Sequence, residues 1–199
     1  MQNDDCYIMN SVMRTCYYLR NYGVRVVCGC LLCISMLTSC HTTKTVSDDW
    51  NGISMRDLAC AAIALGFDVE ETDDWPLLIE ASQWIGVKYV YGGNTKKGVD
   101  CSGLTSQIFK KVYNISLHRT ARDQYKNDCR QVKRDKLQMG DLVFFATGKS
   151  RTTVSHVGIY LKNNQFIHAS SSRGVVVSDL TSNYYVSNWV SGGRVRVKQ

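Results

Sequence analysis

The chain has 199 residues, 44% hydrophobic and 21% charged, which suits one domain with its own core plus short extensions and excludes disordered and fibrous classes. Its formal charge is +7, and after Cys40 there are 21 Lys and Arg against 15 Asp and Glu. This scattered excess suits mild steering toward an anionic polymer or a membrane surface; with no arginine-rich tract or nucleic-acid motif, no nucleic-acid partner is expected.

The first forty residues read as a targeting segment. Arg14, Arg20 and Arg25 precede an apolar run from Val26 to Leu37, which at twelve residues is short for a bilayer span. The closing Leu37-Thr38-Ser39-Cys40 resembles the bacterial lipobox. That implies residues 1–40 are a lipoprotein signal peptide, with Met1, Met9 and Met13 as alternative starts, and that a lipid on Cys40 holds the exported protein at a membrane of the bacterial envelope. A plain secretory signal and an uncleaved anchor are the alternatives. Six of the nine cysteines lie in this segment, leaving Cys60, Cys101 and Cys129 in the body. An odd count leaves a thiol unpaired unless it bonds another chain.

Residues 41–75 are expected to form a tether, polar and unfolded through Trp50, and a short helix. Ser54 and Asp57 give it a capping-box-like start, Met55, Leu58, Ala59, Ala62 and Ile63 an apolar face, and Gly66 an end. An acidic run then leads to Pro76, the only proline, and to a second helix through Leu78, Ile79 and Ile85 to Gly86. Residues 76–199 form the expected catalytic domain. Gly92, Gly93 and Gly98 loosen the backbone before Cys101, after which Leu104, Ile108 and Val112 make a helical stripe. Cys101 therefore sits at a helix start, where free N–H groups and the helix dipole favour thiolate and lower a cysteine pKa from about 8.5 toward roughly 3.5–7.5. A nucleophile is one reading and a buried structural thiol the other. The helix ends near Asn114, and a polar stretch through Asp135 follows. Strands are predicted at 142–145, 156–161, 165–170, 175–177 and 194–197, so helices precede strands in an α+β order.

His156 and His168 fall on successive strands, and a thiol nucleophile needs a base and a group to orient it. A two-residue Asn163-Asn164 turn would put the rings on opposite faces. A three-residue Lys162-Asn163-Asn164 loop, with Asn164 left-handed, pairs Gly158 with His168, so both rings share one face as diagonal neighbours turned toward Cys101. Zinc is the competing use of a Cys with two His, but after Cys40 no Cys-x-x-Cys or His-x-x-x-His spacing supports it, and no metal or organic cofactor is expected.

Asp100-Cys101-Ser102-Gly103, Gly140-Asp141-Leu142-Val143-Phe144-Phe145, His156-Val157-Gly158-Ile159-Tyr160 and Phe166-Ile167-His168-Ala169, in this order, resemble the NlpC-type family of papain-like peptidoglycan peptidases. Residues 94–98 and 163–166 look like its Spr-like murein endopeptidase lipoproteins. The resemblance implies a papain-like α+β fold with an N-terminal cysteine helix packed on an antiparallel sheet. It implies Cys101 as nucleophile, His156 as general base and His168 as the orienting residue. Tyr89 matches a tyrosine near the nucleophile; Asp100, Ser102 and Ser155 match positions near the substrate groove, and Arg119 an arginine after the cysteine helix. Lys88 and His118 stand where the family often has proline. The implied reaction is hydrolysis of peptidoglycan stem peptides, at the D-alanyl-diaminopimelate cross-link. Cleavage between γ-D-glutamate and the diamino acid within one stem, acyl transfer on the same residues, and a binding lipoprotein with a silent site are the alternatives.

Overall fold

A computed structural model describes residues 49–196 apart from 51, 149 and 151; the expected signal segment and Cys40 lie outside the described residues. A two-residue pair, β1 (Asp49–Trp50) with β2 (Ile53–Ser54), forms where the tether was expected to be unfolded. Helix α1 (Met55–Leu65) then starts and stops as its caps dictate. Ser54 Oγ accepts from the N–H of Arg56, and Gly66 closes the helix at φ 81° with its N–H on the carbonyl of Ala62. Helix α2 (Trp75–Ser82) begins with Asp74 as N-cap and Pro76 in its first turn. It ends earlier than its spacing predicts, because residues 84, 85 and 87 donate three residues back in tight turns. Trp84 stays buried through those turns, so the apolar rhythm outlasts the helix. Gly86, at φ 80°, then donates to the carbonyl of Val175 and delivers the chain to the sheet.

A small hairpin, β3 (Asn94–Thr95) with β4 (Gly98–Val99), precedes helix α3 (Cys101–Tyr113). Asp100 caps α3 through the N–H of Gly103 at 2.7 Å, and Asn114 ends it in the left-handed region. Leu104 and Ile108 are fully buried, each contributing about 1.5–3 kcal/mol of burial. Next come a short helix α4 (Ala121–Asp123), a π turn over Gln124–Asp128, and strand β5 (Cys129–Val132). Strands β6 (Leu142–Phe145), β7 (His156–Tyr160), β8 (Gln165–Ser170) and β9 (Gly174–Asp179), helix α5 (Asn183–Asn188) and β10 (Trp189–Val195) complete the described chain. The antiparallel sheet runs β5-β10-β6-β7-β8-β9.

The sequence missed β5 and α5 and placed the last strand too late. Only Cys129 and Val132, at the two ends of edge strand β5, are buried, so no alternation shows. Gly192 and Gly193 interrupt the pattern of β10, though both pair with β5.

Each face of the sheet is covered. Leu142, Phe144, Val157, Ile159 and Ile167 belong to the core beneath α3, whereas Val143, Phe145 and Phe166 pack with Leu180 and with Tyr185 of α5.

Candidate active site

Residues 159 and 160 pair with 167 and 166, and Leu161 donates to the carbonyl of Gln165, so a three-residue loop closes the hairpin. Asn163 and Asn164 are both left-handed, at φ 52° and 61°, where only Asn164 was expected to be. The register puts His156 and His168 on one face, with His156 Nε2 2.9 Å from His168 Nδ1. Gly158 makes room between the strands: a Cβ there would lie 2.7 Å from the carbonyl oxygen of Ile167 and 3.1 Å from the Cβ of His168.

The histidines share the sheet face of Phe145 and Phe166, on the side away from the core beneath α3. Cys101 reaches them by position along the strand. It is the first residue of α3, the backbone N–H of Val157 hydrogen-bonds its sulfur, and His156 is the first residue of β7. Cys101, His156 and His168 line one cavity of about 560 Å³.

The electrostatics also correct the sequence reading. Burial first, then the Asp100 carboxylate, pushes the Cys101 thiol up; the N–H groups of Val157, Ser102 and Cys101 itself work the other way without overcoming them. Burial lowers His156 to about 4. Burial, then His156 and Arg173, also depresses His168, which is 2% exposed. The resting pair is thus thiol and neutral imidazole rather than an ion pair.

Two neutral rings sharing one hydrogen bond have two consistent tautomer arrangements. His168 Nε2 lies 3.0 Å from Ser178 Oγ and 2.9 Å from Tyr185 Oη. When His168 donates there, His156 carries its proton on Nε2 and leaves Nδ1 bare to accept one. Sequence reasoning missed Ser178 and Tyr185. Ser178 was within reach of it, since His168 pairs with Val176 and the residue two further along faces the same way.

A second cavity of about 650 Å³ meets the first at Cys101; Tyr89 and Ser155 line both, and Asp100, Ser102 and Arg119 line the second. All eight candidate residues of the body therefore gather here. Arg119 grips Asp100 in a fork, Nη1 to Oδ1 at 3.0 Å and Nη2 to Oδ2 at 2.7 Å, and Nη1 also donates to Ser102 Oγ at 3.0 Å. Burial acts to raise the Asp100 carboxyl, but donation from Arg119, Gly103 and Gly92 outweighs it and holds it below the usual carboxylate range. Burial, then the charges of Cys101 and Asp100, pushes the Tyr89 hydroxyl up. Ser155 Oγ accepts from the N–H groups of Thr147 at 2.8 Å and Gly148 at 3.0 Å, so it pins the loop before β7.

Gly103 lets the glycine loop press on α3, because a Cβ there would lie 2.3 Å from the carbonyl oxygen of Gly93. Buried Gln124 braces the same turn, with Nε2 donating to the carbonyls of Ser102 and His118. His118 is held by Asp128 through its backbone N–H at 2.8 Å and its ring at 2.7 Å, a contact of which proline would keep neither half. Cys101 and Cys129 are both free thiols. Burial first pushes Cys129 up to about 12, so it is a structural thiol.

The sequence profile of the NlpC/P60 family matches residues 86–194. A relative from Escherichia coli K12, murein DD-endopeptidase MepS/murein LD-carboxypeptidase, is 40% identical over 119 residues, covering 60% of this chain and 61% of its own. Probable endopeptidase NlpC from the same strain is 41% identical over 116 residues, covering 58% of this chain and 74% of that relative. The match thus spans about three fifths of the first relative's length. The crystal structure of an NLP/P60 family protein from Staphylococcus aureus aligns with a TM-score of 0.56 at 34% identity, over 65% of this chain and 46% of that one.

Proposed function

The chain belongs to the NlpC/P60 family, and from that premise we propose that it is a cysteine peptidase of peptidoglycan stem peptides. One observation carries the reading: Cys101, His156 and His168 line a single cavity, and the two imidazoles are joined at 2.9 Å. His156 takes the thiol proton at Nδ1 while its Nε2–H donates to His168 Nδ1, and His168 donates from Nε2 to Ser178 and Tyr185. The sulfur adds to a stem-peptide carbonyl, with N–H groups of the first turn of α3 holding the oxyanion. The C–N bond breaks as His156 returns the proton to the leaving amine. Water, deprotonated by His156, then splits the thioester.

The bond we assign is the cross-link between D-alanine of one stem and the side-chain amine of diaminopimelate in another. The name of the MepS relative supports this choice. Asp100 is not available to bind the free amine of L-alanine that an in-stem enzyme must hold, because Arg119 and two backbone donors already saturate it; Asp123 is the other carboxylate lining that cavity. Purified cross-linked dimers and single tetrapeptide muropeptides, offered separately, test it. Dimers should become intact monomers. Release of L-alanyl-γ-D-glutamate with dimers uncut would overturn the assignment.

We further place the catalytic domain at residues 76–199 and residues 1–40 as a signal removed before a lipidated Cys40, so that a tether presents the enzyme to the wall at high effective concentration. Mass spectrometry of membrane-extracted protein should find the chain beginning at a modified Cys40. An unmodified terminus upstream would refute this.

A further inference from the structure

The larger cavity is lined by Arg119, which is committed to Asp100, and by the adjacent Arg122 and Asp123. In the smaller one, Arg173 is the only residue with a permanent charge among the described lining residues; hydroxyls, aromatic rings and neutral imidazoles supply the rest. Its guanidinium touches neutral oxygens only, Ser178 Oγ from Nη2 at 3.3 Å and the Tyr185 hydroxyl. No Asp or Glu among the described residues pairs with it. The turn that carries it is fixed, because Val175 donates to the carbonyl of Val87 at 2.9 Å and a Cβ on Gly174 would lie 2.5 Å from that same oxygen.

The reaction decides which part of the substrate meets this cation. A leaving amine must collect its proton from His156, and His156 lines the smaller cavity and not the larger. The leaving amino acid therefore lies beside Arg173, and the acyl part lies on the Asp100 side.

We propose that Arg173 is a specificity residue that binds a free carboxylate on the carbon bearing the leaving amine. This rests on the assignment of Cys101 and His156 as nucleophile and base. A guanidinium fork fits a carboxylate with two parallel hydrogen bonds, and an uncommitted one gains most from such a partner. Two leaving groups carry that chemistry: the D-centre of diaminopimelate at a cross-link, and a terminal D-amino acid at the end of a stem. At the bond between γ-D-glutamate and the diamino acid of a tetrapeptide stem, the corresponding carboxyl is already tied up in the next amide. Arg173 thus favours the first two cuts over the third.

The test uses matched synthetic substrates in which the leaving amino acid ends in a carboxylate or in the isosteric carboxamide. One pair has a D-centre cross-link and one a terminal D-alanine, which separates the two sources. kcat/KM is measured for the wild-type chain, Arg173→Gln and Arg173→Lys. A charge-assisted hydrogen bond at a partly exposed site corresponds to about tenfold, so the wild type should prefer carboxylate by about that factor. The ratio should fall toward one in Arg173→Gln and be partly kept in Arg173→Lys. An unchanged ratio in Arg173→Gln, including the case where both substrates slow together because the Ser178 contact to His168 is disturbed, overturns the proposal. If the wild type cleaves neither substrate, the peptidase assignment has failed, and calorimetry with the Cys101→Ala protein still decides on Arg173. Tighter binding of the carboxylate ligand that is lost on adding Arg173→Gln supports it, and equal binding of carboxylate and carboxamide overturns it.

Discussion

Replacing Asp100 with Asn should destabilise the fold and lower the Cys101 thiol pKa at once. Oδ1 accepts from the N–H of Gly103, Arg119 Nη1 and Ser102 Oγ, and Oδ2 from the N–H of Gly92 at 2.9 Å and Arg119 Nη2 at 2.7 Å. Asparagine is nearly isosteric but keeps one acceptor. With its oxygen on Gly103 as helix cap, its amide nitrogen faces two donors, the Gly92 N–H and the guanidinium. An unsatisfied backbone donor costs about 1–3 kcal/mol. The Arg119 side chain is 45% exposed and recovers solvation, so the broken ion pair adds only about 1 kcal/mol. The total, about 2–4 kcal/mol, corresponds to a fall of roughly 5–15 °C in Tm for a domain of this size.

The thiol should respond in the opposite sense. The Asp100 charge is the second cause raising Cys101, after burial. Removing it should shift the thiol down toward the ordinary cysteine range while burial keeps part of the elevation. Melting curves give the first quantity. The pH dependence of iodoacetamide alkylation, followed by mass spectrometry on the Cys101 peptide so that Cys129 does not interfere, gives the second. A Tm unchanged within about a degree, or an alkylation midpoint that moves up, would refute this account of the Asp100 site.

Cys101→Ala and His156→Ala should each nearly abolish hydrolysis and the double substitution should cost little more, since nucleophile and base act as one unit; His168→Ala should retain more activity, and additive losses in the double variant would break the assignment. Stability should fall with acid in a definite window. His156 is lowered to about 4 in the folded chain from an ordinary value of 6.5, so its contribution is complete above pH 6.5 and is lost as pH falls toward 4, by at most about 1.4 kcal/mol per pH unit. His168 is lowered too and acts with the same sign, whereas the Asp100 contribution is lost only as its depressed carboxyl titrates, at lower pH. Urea midpoints of the wild type minus those of His156→Gln should therefore shrink from pH 7 to 4.5, and a difference that is flat or grows over that range would contradict burial of a neutral His156.

Local chemistry wrote most of what could be read in the sequence. Ser54, Gly66 and Asn114 are caps whose side chain or conformation makes the helix end, and they appear in the structure in those roles, whereas the capping role of Asp100 emerged only in the structure. The shared face of the histidines was likewise legible, because loop length fixes parity in a hairpin. Which face that would be was not. Alternation tells inside from outside only when one face is wet, and Leu142–Phe145 are all fully buried because α3 covers one side and α5 the other. The thiol was misjudged for a related reason. The helix start does supply N–H groups, but the residue that caps it is a carboxylate, and burial exceeds both. A sheet covered on both faces leaves its strand ends as the openings. Cys101 at the first residue of α3 and His156 at the first residue of β7 are both terminal positions. The position of the cleft thus follows from double coverage of the sheet, which four consecutive large apolar residues in a short strand already announce.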